Sequence, residues 1–567
     1  VDTIVLDAYA ARSCPVKTHH TFDPTLEQPT TPLDESLRES FQGGSDFRDE
    51  VLTRLAQAPG AVDLRVPAGE DRPWTEREAA TLAALGAGAP VIIGGVLPLD
   101  LEGHRSGRPD ALVRGVDHAE GSPGYWPLKV KPYRVREKHT GAPSLRTSTL
   151  ADPGSVEGLP KTRFRTYREG ALLELVHHWR LLEACGFSSA DAWVGLVGDD
   201  RALSAEPTIT WIDLNAKFIR TYSKSAGHKL RSALERYDHE FRFRLHVAES
   251  AMARTGVDDP PPVVRPIRVK ECEWCAWWQV CRPMIDDDDL SLRISKAPLD
   301  VRELQTLLGL GINTVAELAT TDVEALLPSY LPLTGHRDRS EQRLRQAARR
   351  ARMLAAGVDL ERVTDDPIGV PRSPFEVDLD IETADDGTVY LWGALVTDAS
   401  GTRFEHFSRF DHLSKPEEGE LAGEFARWLV ALAAEHPDLR VYHYSDYETI
   451  HIRRLAERTG DPALAQAAGL IRDHFVDLFG FVRDNFVGVD GLGLKVVAHK
   501  GAGFSWRDEE PGGLASQSWF NEAVDGPSPE ARAAARDRVL EYNEDDVRAT
   551  LAVREWIAAQ DRKLPAV

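Results

Sequence analysis

"FEVDLDIETADDG", residues 375–387, alternates with period two. Phe375, Val377, Leu379 and Ile381 fall on one face of a predicted strand, and Glu376, Asp378, Asp380 and Glu382 on the other. Neighbouring carboxylates repel, and a dry carboxylate is costly to leave unpaired. A strand bordering solvent would settle that conflict by hydration. A divalent cation held between the acids would settle it by coordination. From Phe375 onward strands alternate with helices, which predicts an α/β sheet built around this strand.

If Asp380 and Glu382 bind metal, further ligands should follow along the chain. "RVYHYSDYETIHIRRLAE" (440–457) reads as a strand running into a helix, with Glu448 near the helix start. Ser445-x-x-Glu448 also matches a capping box with Ser445 as N-cap, which leaves Asp446 as the other candidate ligand. "RVLEYNEDDVRATLAV" (538–553) reads as a helix on which Tyr542 and Asp546 share a face; Asp545 is the neighbouring rival. Asp477 is a helper candidate or the end of an element. Asp380-x-Glu382, His443-x3-Tyr447-Glu448 and Tyr542-x3-Asp546 resemble the DEDD exonucleases of the RNase H-like fold, tyrosine subclass. His443 and Glu448 depart from that pattern, which has Asn and Asp there. The resemblance implies two Mg²⁺ or Mn²⁺ ions held by Asp380, Glu382, Glu448 and Asp546, with Tyr542 orienting a water. It also implies 3′→5′ cleavage of single-stranded nucleic acid or of 3′ ends.

The chain has 567 residues, enough for three or four domains. Its 42% apolar and 28% charged content is that of a globular protein. A net charge of -22 argues against a passive nucleic-acid coat, but not against a nuclease whose acidic site is neutralised by metal. Three basic stretches stand out locally: residues 129–138, 161–168 and 343–353. No apolar run reaches the length of a membrane span. The first residues lack a basic region followed by a long apolar core, so a cytoplasmic location is expected.

"ECEWCAWWQVC" (271–281) spaces Cys272, Cys275 and Cys281 as C-x2-C-x5-C, a metal or cluster signal; zinc would also accept such thiolates. Cys14 is the candidate fourth ligand, whereas Cys185 lies in a helical run. A lone early cysteine with a distant C-x2-C-x5-C resembles the iron–sulfur RecB-type nucleases. That likeness implies a restriction-endonuclease-like domain over residues 1–286, stapled by a [4Fe–4S] cluster on Cys14, Cys272, Cys275 and Cys281. Carried onto this chain, the RecB-like site would use Asp110, Lys131 and Glu174, with His178 beside it. Lys129 stands where that site needs an acid, and Arg48 where it needs another, with Glu50 nearby. A protonated lysine cannot ligate Mg²⁺. The site is therefore expected to be degenerate, leaving a nucleic-acid-binding element.

Residues 290–356 are expected to be helical. "LLGLGINTVAELA" (307–319) resembles a helix–hairpin–helix, whose Gly309 and Gly311 would free backbone N–H groups for a phosphate. Residues 372–567 form the expected RNase H-like domain, a mixed sheet with flanking helices. The expected function is a metal-dependent exonuclease acting in DNA repair or nucleic-acid processing. The alternative is a non-catalytic iron–sulfur nucleic-acid-binding adaptor.

Overall fold

The computed structural model describes residues 3–29, 46–67, 69–141, 145–200, 203–204, 206–223, 227–256, 259–508 and 513–562. The chain divides into two compact units. One comprises Val1–Leu292, Asp300–Leu310 and Glu324–Glu341; the other comprises Arg293–Leu299, Gly311–Val323 and Gln342–Val567. Among the described residues, no helix is long and apolar enough to cross a membrane.

The first unit is built on an eight-stranded mixed sheet. Its strands are β1 (Val62–Asp63), β2 (Val91–Ile93), β3 (Ala111–Arg114), β4 (Tyr125–Lys131), β5 (Leu145–Thr149), β6 (Glu157–Leu159), β7 (Trp193–Gly198) and β8 (Thr208–Asp213). They lie in the order β1-β2-β3-β4-β7-β8-β5-β6. Only β1–β2 and β4–β7 are parallel. Helix α1 (Pro15–Phe22) lies against α3 (Ala233–Met252), and α2 (Glu169–Ala184) covers β4 and β7. The apolar run of α2 ends as its sequence predicts: Gly186 takes φ +80° just beyond the helix. A capping box of Ser232 and Glu235 opens α3.

The second unit carries a five-stranded sheet of β9 (Glu376–Thr383), β10 (Val389–Asp398), β11 (Gly401–Ser408), β12 (Arg440–His443) and β13 (Phe475–Asp477). The order is β11-β10-β9-β12-β13; the β11, β10 and β9 neighbours pair antiparallel and the β9, β12 and β13 neighbours parallel. The opening stretch of acids is thus the central strand, not an edge. Val377, Leu379 and Ile381 pack into a core with Leu421, Phe425 and Leu429 of α4 (Lys415–Glu435) and Leu464 of α6 (Pro462–His474). The acidic face lies under α7 (Pro529–Arg562).

That burial rules out hydration as the answer for the first two acids. Glu376 and Asp378 are buried, and the fully buried Arg554 of α7 bonds both: 2.8 Å to Asp378 Oδ2, with a further bond to Glu376 Oε2. Arg372 also donates to Glu376 Oε1 at 2.8 Å. The row of four acids is split. Its first half is neutralised by arginine, and only its second half reaches the candidate site.

Candidate metal centre

Asp380 and Glu382 of β9 meet Asp546 of α7, with one carboxylate oxygen from each lying within 4.8 Å of the others. Glu382 and Asp546 are buried, while Asp380 keeps partial access to solvent. Burial, then the charges of Asp546, Glu382 and Glu448, raises Asp380 well above the usual carboxylate range. Burial, with Asp546 beside it, pushes Glu382 up to about 8. Asp546 is raised by burial as well. Three carboxyls that resist ionising together make a strong attractor for a divalent cation.

Each of the three is oriented by a neighbour. Asn543 donates its amide to Asp380 Oδ2 at 2.8 Å, Ser516 donates to Glu382 Oε2 at 2.9 Å, and Trp506 donates its indole N–H to Asp546 Oδ1 at 2.7 Å. Lys495 Nζ donates to the Tyr542 hydroxyl at 2.6 Å. Burial, then Asp546, Glu382 and Asp380, raises the Tyr542 phenol, so it stays protonated. Sequence reasoning singled out none of Lys495, Trp506, Ser516 and Asn543. Asn543 had one available signal, its place beside Tyr542 on the helix that the tyrosine spacing marks.

Asn543 reaches Asp380 because the residue opposite Asp380 on β10 is Gly393. A Cβ at Gly393 would lie 1.6 Å from Asn543 Oδ1. Gly393→Ala is expected to push the amide off Asp380 and lower activity about 10–100-fold, the range for losing a partner that orients a metal ligand. An unchanged rate in a steady-state nuclease assay of the folded variant would refute this.

Glu448 lies in the first turn of the helix α5 (Tyr447–Thr459) and is buried, but it lies outside the three-carboxylate group. Burial pushes it up to about 8, with Asp477 and Asp446 adding to the rise. Its Oε2 is buried without a hydrogen-bond partner among the described residues, 3.7 Å from His443 Nδ1. The capping box expected at Ser445 does not form. Ser445 takes φ +81°, its N–H donates to Asp477 Oδ1 at 2.9 Å, and Asp446 stands at the N-cap. Glu448 is therefore not spent on a cap, while Asp446 is exposed. Asp477 acts as a brace, also accepting from Phe479 N–H at 2.9 Å. Asp545 faces elsewhere, accepting from Arg507 Nε at 2.9 Å.

In the first unit, Cys14, Cys272, Cys275 and Cys281 line one cavity with Trp277 and Trp278. Cys14 is the N-cap of α1, and its N–H donates to Glu271 Oε2 at 2.9 Å. Burial and the other three cysteines push the Cys281 thiol up to about 12; its Sγ is 3.3 Å from His20 Nε2. Cys185 caps the end of α2. Asp110 and Glu174 are buried in ion pairs with Lys129 and Lys131 respectively. His178 is buried, and burial holds its ring well below its usual pKa. Glu50 is exposed and lies 3.6 Å from Arg54.

The two glycines of the expected hairpin differ. Gly309 is the last residue of the helix Val301–Gly309, and only Gly311 takes a positive φ, +81°. Before the helix Val315–Thr320, Glu317 Oε2 accepts from the N–H groups of Asn313 at 2.7 Å and Thr314 at 2.9 Å. That carboxylate occupies donors that a phosphate would use.

The second unit thus places buried carboxylates on the central strand of a five-stranded mixed sheet and on the helix packed against it. Residues 377–558 match the family model of the RNase H superfamily, so the C-terminal domain is RNase H-like. No curated protein and no solved structure matches the chain.

Proposed function

We propose that the C-terminal domain is a metal-dependent exonuclease that removes nucleotides from the 3′ end of single-stranded nucleic acid. The observation that carries this reading is the convergence of Asp380 and Glu382 of β9 with Asp546 of α7. The unpartnered, buried Oε2 of Glu448 supports it, because a hard-oxygen ligand set of this kind suits Mg²⁺ or Mn²⁺. When bound, such ions would make an attacking water more acidic and stabilise the leaving oxygen. Asp380, Glu382, Glu448 and Asp546 would hold them. Asn543, Ser516 and Trp506 fix the carboxylate orientations. The protonated Tyr542 hydroxyl, held by Lys495, orients the attacking water. Direction and strandedness follow from the likeness to the DEDD exonucleases.

In the same reading, Cys14, Cys272, Cys275 and Cys281 hold a [4Fe–4S] cluster that ties α1 to residues 272–281 of a RecB-like, nucleic-acid-binding domain. The fit rests on four half-buried thiols around one cavity with tryptophan walls. The cluster's contribution there is structural. Anaerobically purified protein should show visible charge-transfer absorbance and about four irons per chain. The same preparation, given Mn²⁺ and end-labelled single-stranded DNA or RNA, should produce a ladder that shortens from the 3′ end. Intact, cluster-loaded protein that cuts neither substrate would defeat the exonuclease reading in favour of a binding protein.

A further inference from the structure

The acids expected to serve a RecB-like metal site are already saturated by cations. Asp110 is 2% exposed, and its Oδ1 accepts from Arg48 Nε and Nη2, both at 2.9 Å, and from Lys129 Nζ at 3.3 Å. Its Oδ2 accepts from the Val130 N–H at 2.8 Å. Fully buried Glu174 takes Lys131 Nζ at 2.8 Å and 2.9 Å on its two oxygens, and Arg12 Nη1 at 2.8 Å. A divalent cation would have to displace ammonium and guanidinium groups from both carboxylates. The residues present do not fit a metal.

They fit an anion. Four cations, Arg12, Arg48, Lys129 and Lys131, face two carboxylates, an excess of two positive charges. Asp49, exposed at the rim, lies 3.7 Å from Arg48 and offsets part of it. Arg168 adds a further charge. It has no acidic partner among the described residues, and its buried Nε has no acceptor there. Its guanidinium stacks 3.9 Å from the Tyr133 ring and 5.1 Å from Tyr167. Arg12 lies 5.0 Å over Tyr9, and Lys131 Nζ 5.8 Å over the same ring. Tyr9 and Tyr167 are 42% and 63% exposed, so both rings are reachable from solvent beside the unspent charge, although Arg165 also lies 5.2 Å over Tyr167. Cations that grip a backbone next to open aromatic faces for bases are the combination that single strands use.

We propose that this cluster is a metal-independent grip for the backbone phosphate of single-stranded nucleic acid. Arg12, Arg48, Lys129 and Arg168 serve as phosphate contacts, and Tyr9 and Tyr167 as stacking surfaces. The choice of nucleic acid as the source of phosphate rests on the exonuclease reading; the charge excess does not.

The test is fluorescence anisotropy of a labelled single-stranded 20-mer DNA with the full-length Asp380→Asn protein in EDTA, so that neither cleavage nor metal contributes. Arg12→Gln/Arg168→Gln should weaken binding about tenfold and flatten the slope of log K against log[salt] by about 1.4, two contacts' worth. Arg12→Lys/Arg168→Lys should retain most of the affinity. Should the Gln pair fail to fold, Arg168→Gln alone, which strips no ion pair, should still flatten the slope by about 0.7. Unchanged affinity and slope in a folded variant would overturn the proposal. So would binding that appears only with Mn²⁺ and is lost in Asp110→Asn. Neither result would bear on cleavage at the C-terminal site.

Discussion

Asp380→Asn is expected to lower the Mn²⁺-dependent nuclease rate by at least about 10²–10³-fold, the scale of losing one directed charge stabiliser. The same change should make the metal-free protein more heat-stable. Without a cation, burial and the charges of Asp546, Glu382 and Glu448 oppose ionisation of Asp380. A neutral amide removes that repulsion. With Mn²⁺ the order should reverse, because the wild type gains stability from each bound ion and the variant gains less. Melting curves in EDTA and in Mn²⁺ therefore separate a metal ligand from a merely structural acid; a variant that melts like wild type in both and still cuts would refute the assignment. The metal-free protein should also lose stability as pH rises. Glu382 and Glu448, both held near 8, keep their protons in the folded state, while the unfolded chain releases them near 4.5. The favourable term is complete below about 4.5, shrinks through that window and is gone above about 8.

Arg554→Met is expected to destabilise the protein by about 3–5 kcal/mol, read as a lower urea midpoint. The substitution keeps the volume but strands buried Asp378 and takes from buried Glu376 one of its two arginines. Burial would raise Glu376, but hydrogen bonds from Arg372 and the charge of Arg554 hold it down at about 2. Asp378 is pushed up to about 6 by complete burial, even with Arg554 beside it. Tyr442 donates to Glu376 at 2.8 Å, and Arg554 stacks 4.2 Å from its ring, so the arginine is enclosed on several sides. Adding Glu376→Gln and Asp378→Asn to Arg554→Met should recover much of the loss, since the cost lies in uncompensated charge. A single variant that unfolds at the wild-type midpoint would show the network to be dispensable. Arg554 lies two turns along α7 from Asp546, so the folded fraction should retain nuclease activity.

The period of residues 375–382 was enough to define a strand, its apolar face and its row of acids. The four-residue spacing of Tyr542 and Asp546 was enough to choose Asp546 over Asp545. Both are local regularities, fixed by the geometry of a strand and a helix. What each acid does was not legible, because charge pairing is settled by residues far apart in sequence. Arg554, 178 residues from Glu376, claims half the row and leaves the other half for the site. Asn543 reaches Asp380 across 163 residues, and only because Gly393 presents no side chain. A positive φ at Ser445 cancels a capping box that its sequence spells out, and leaves the buried Glu448 oxygen without a partner. In the first unit, Lys129 argued against a metal at Asp110, but only the fold showed Arg48 joining it there and Arg12 and Lys131 saturating Glu174. Sequence period sets which face a side chain takes; the tertiary structure sets which charge it meets there.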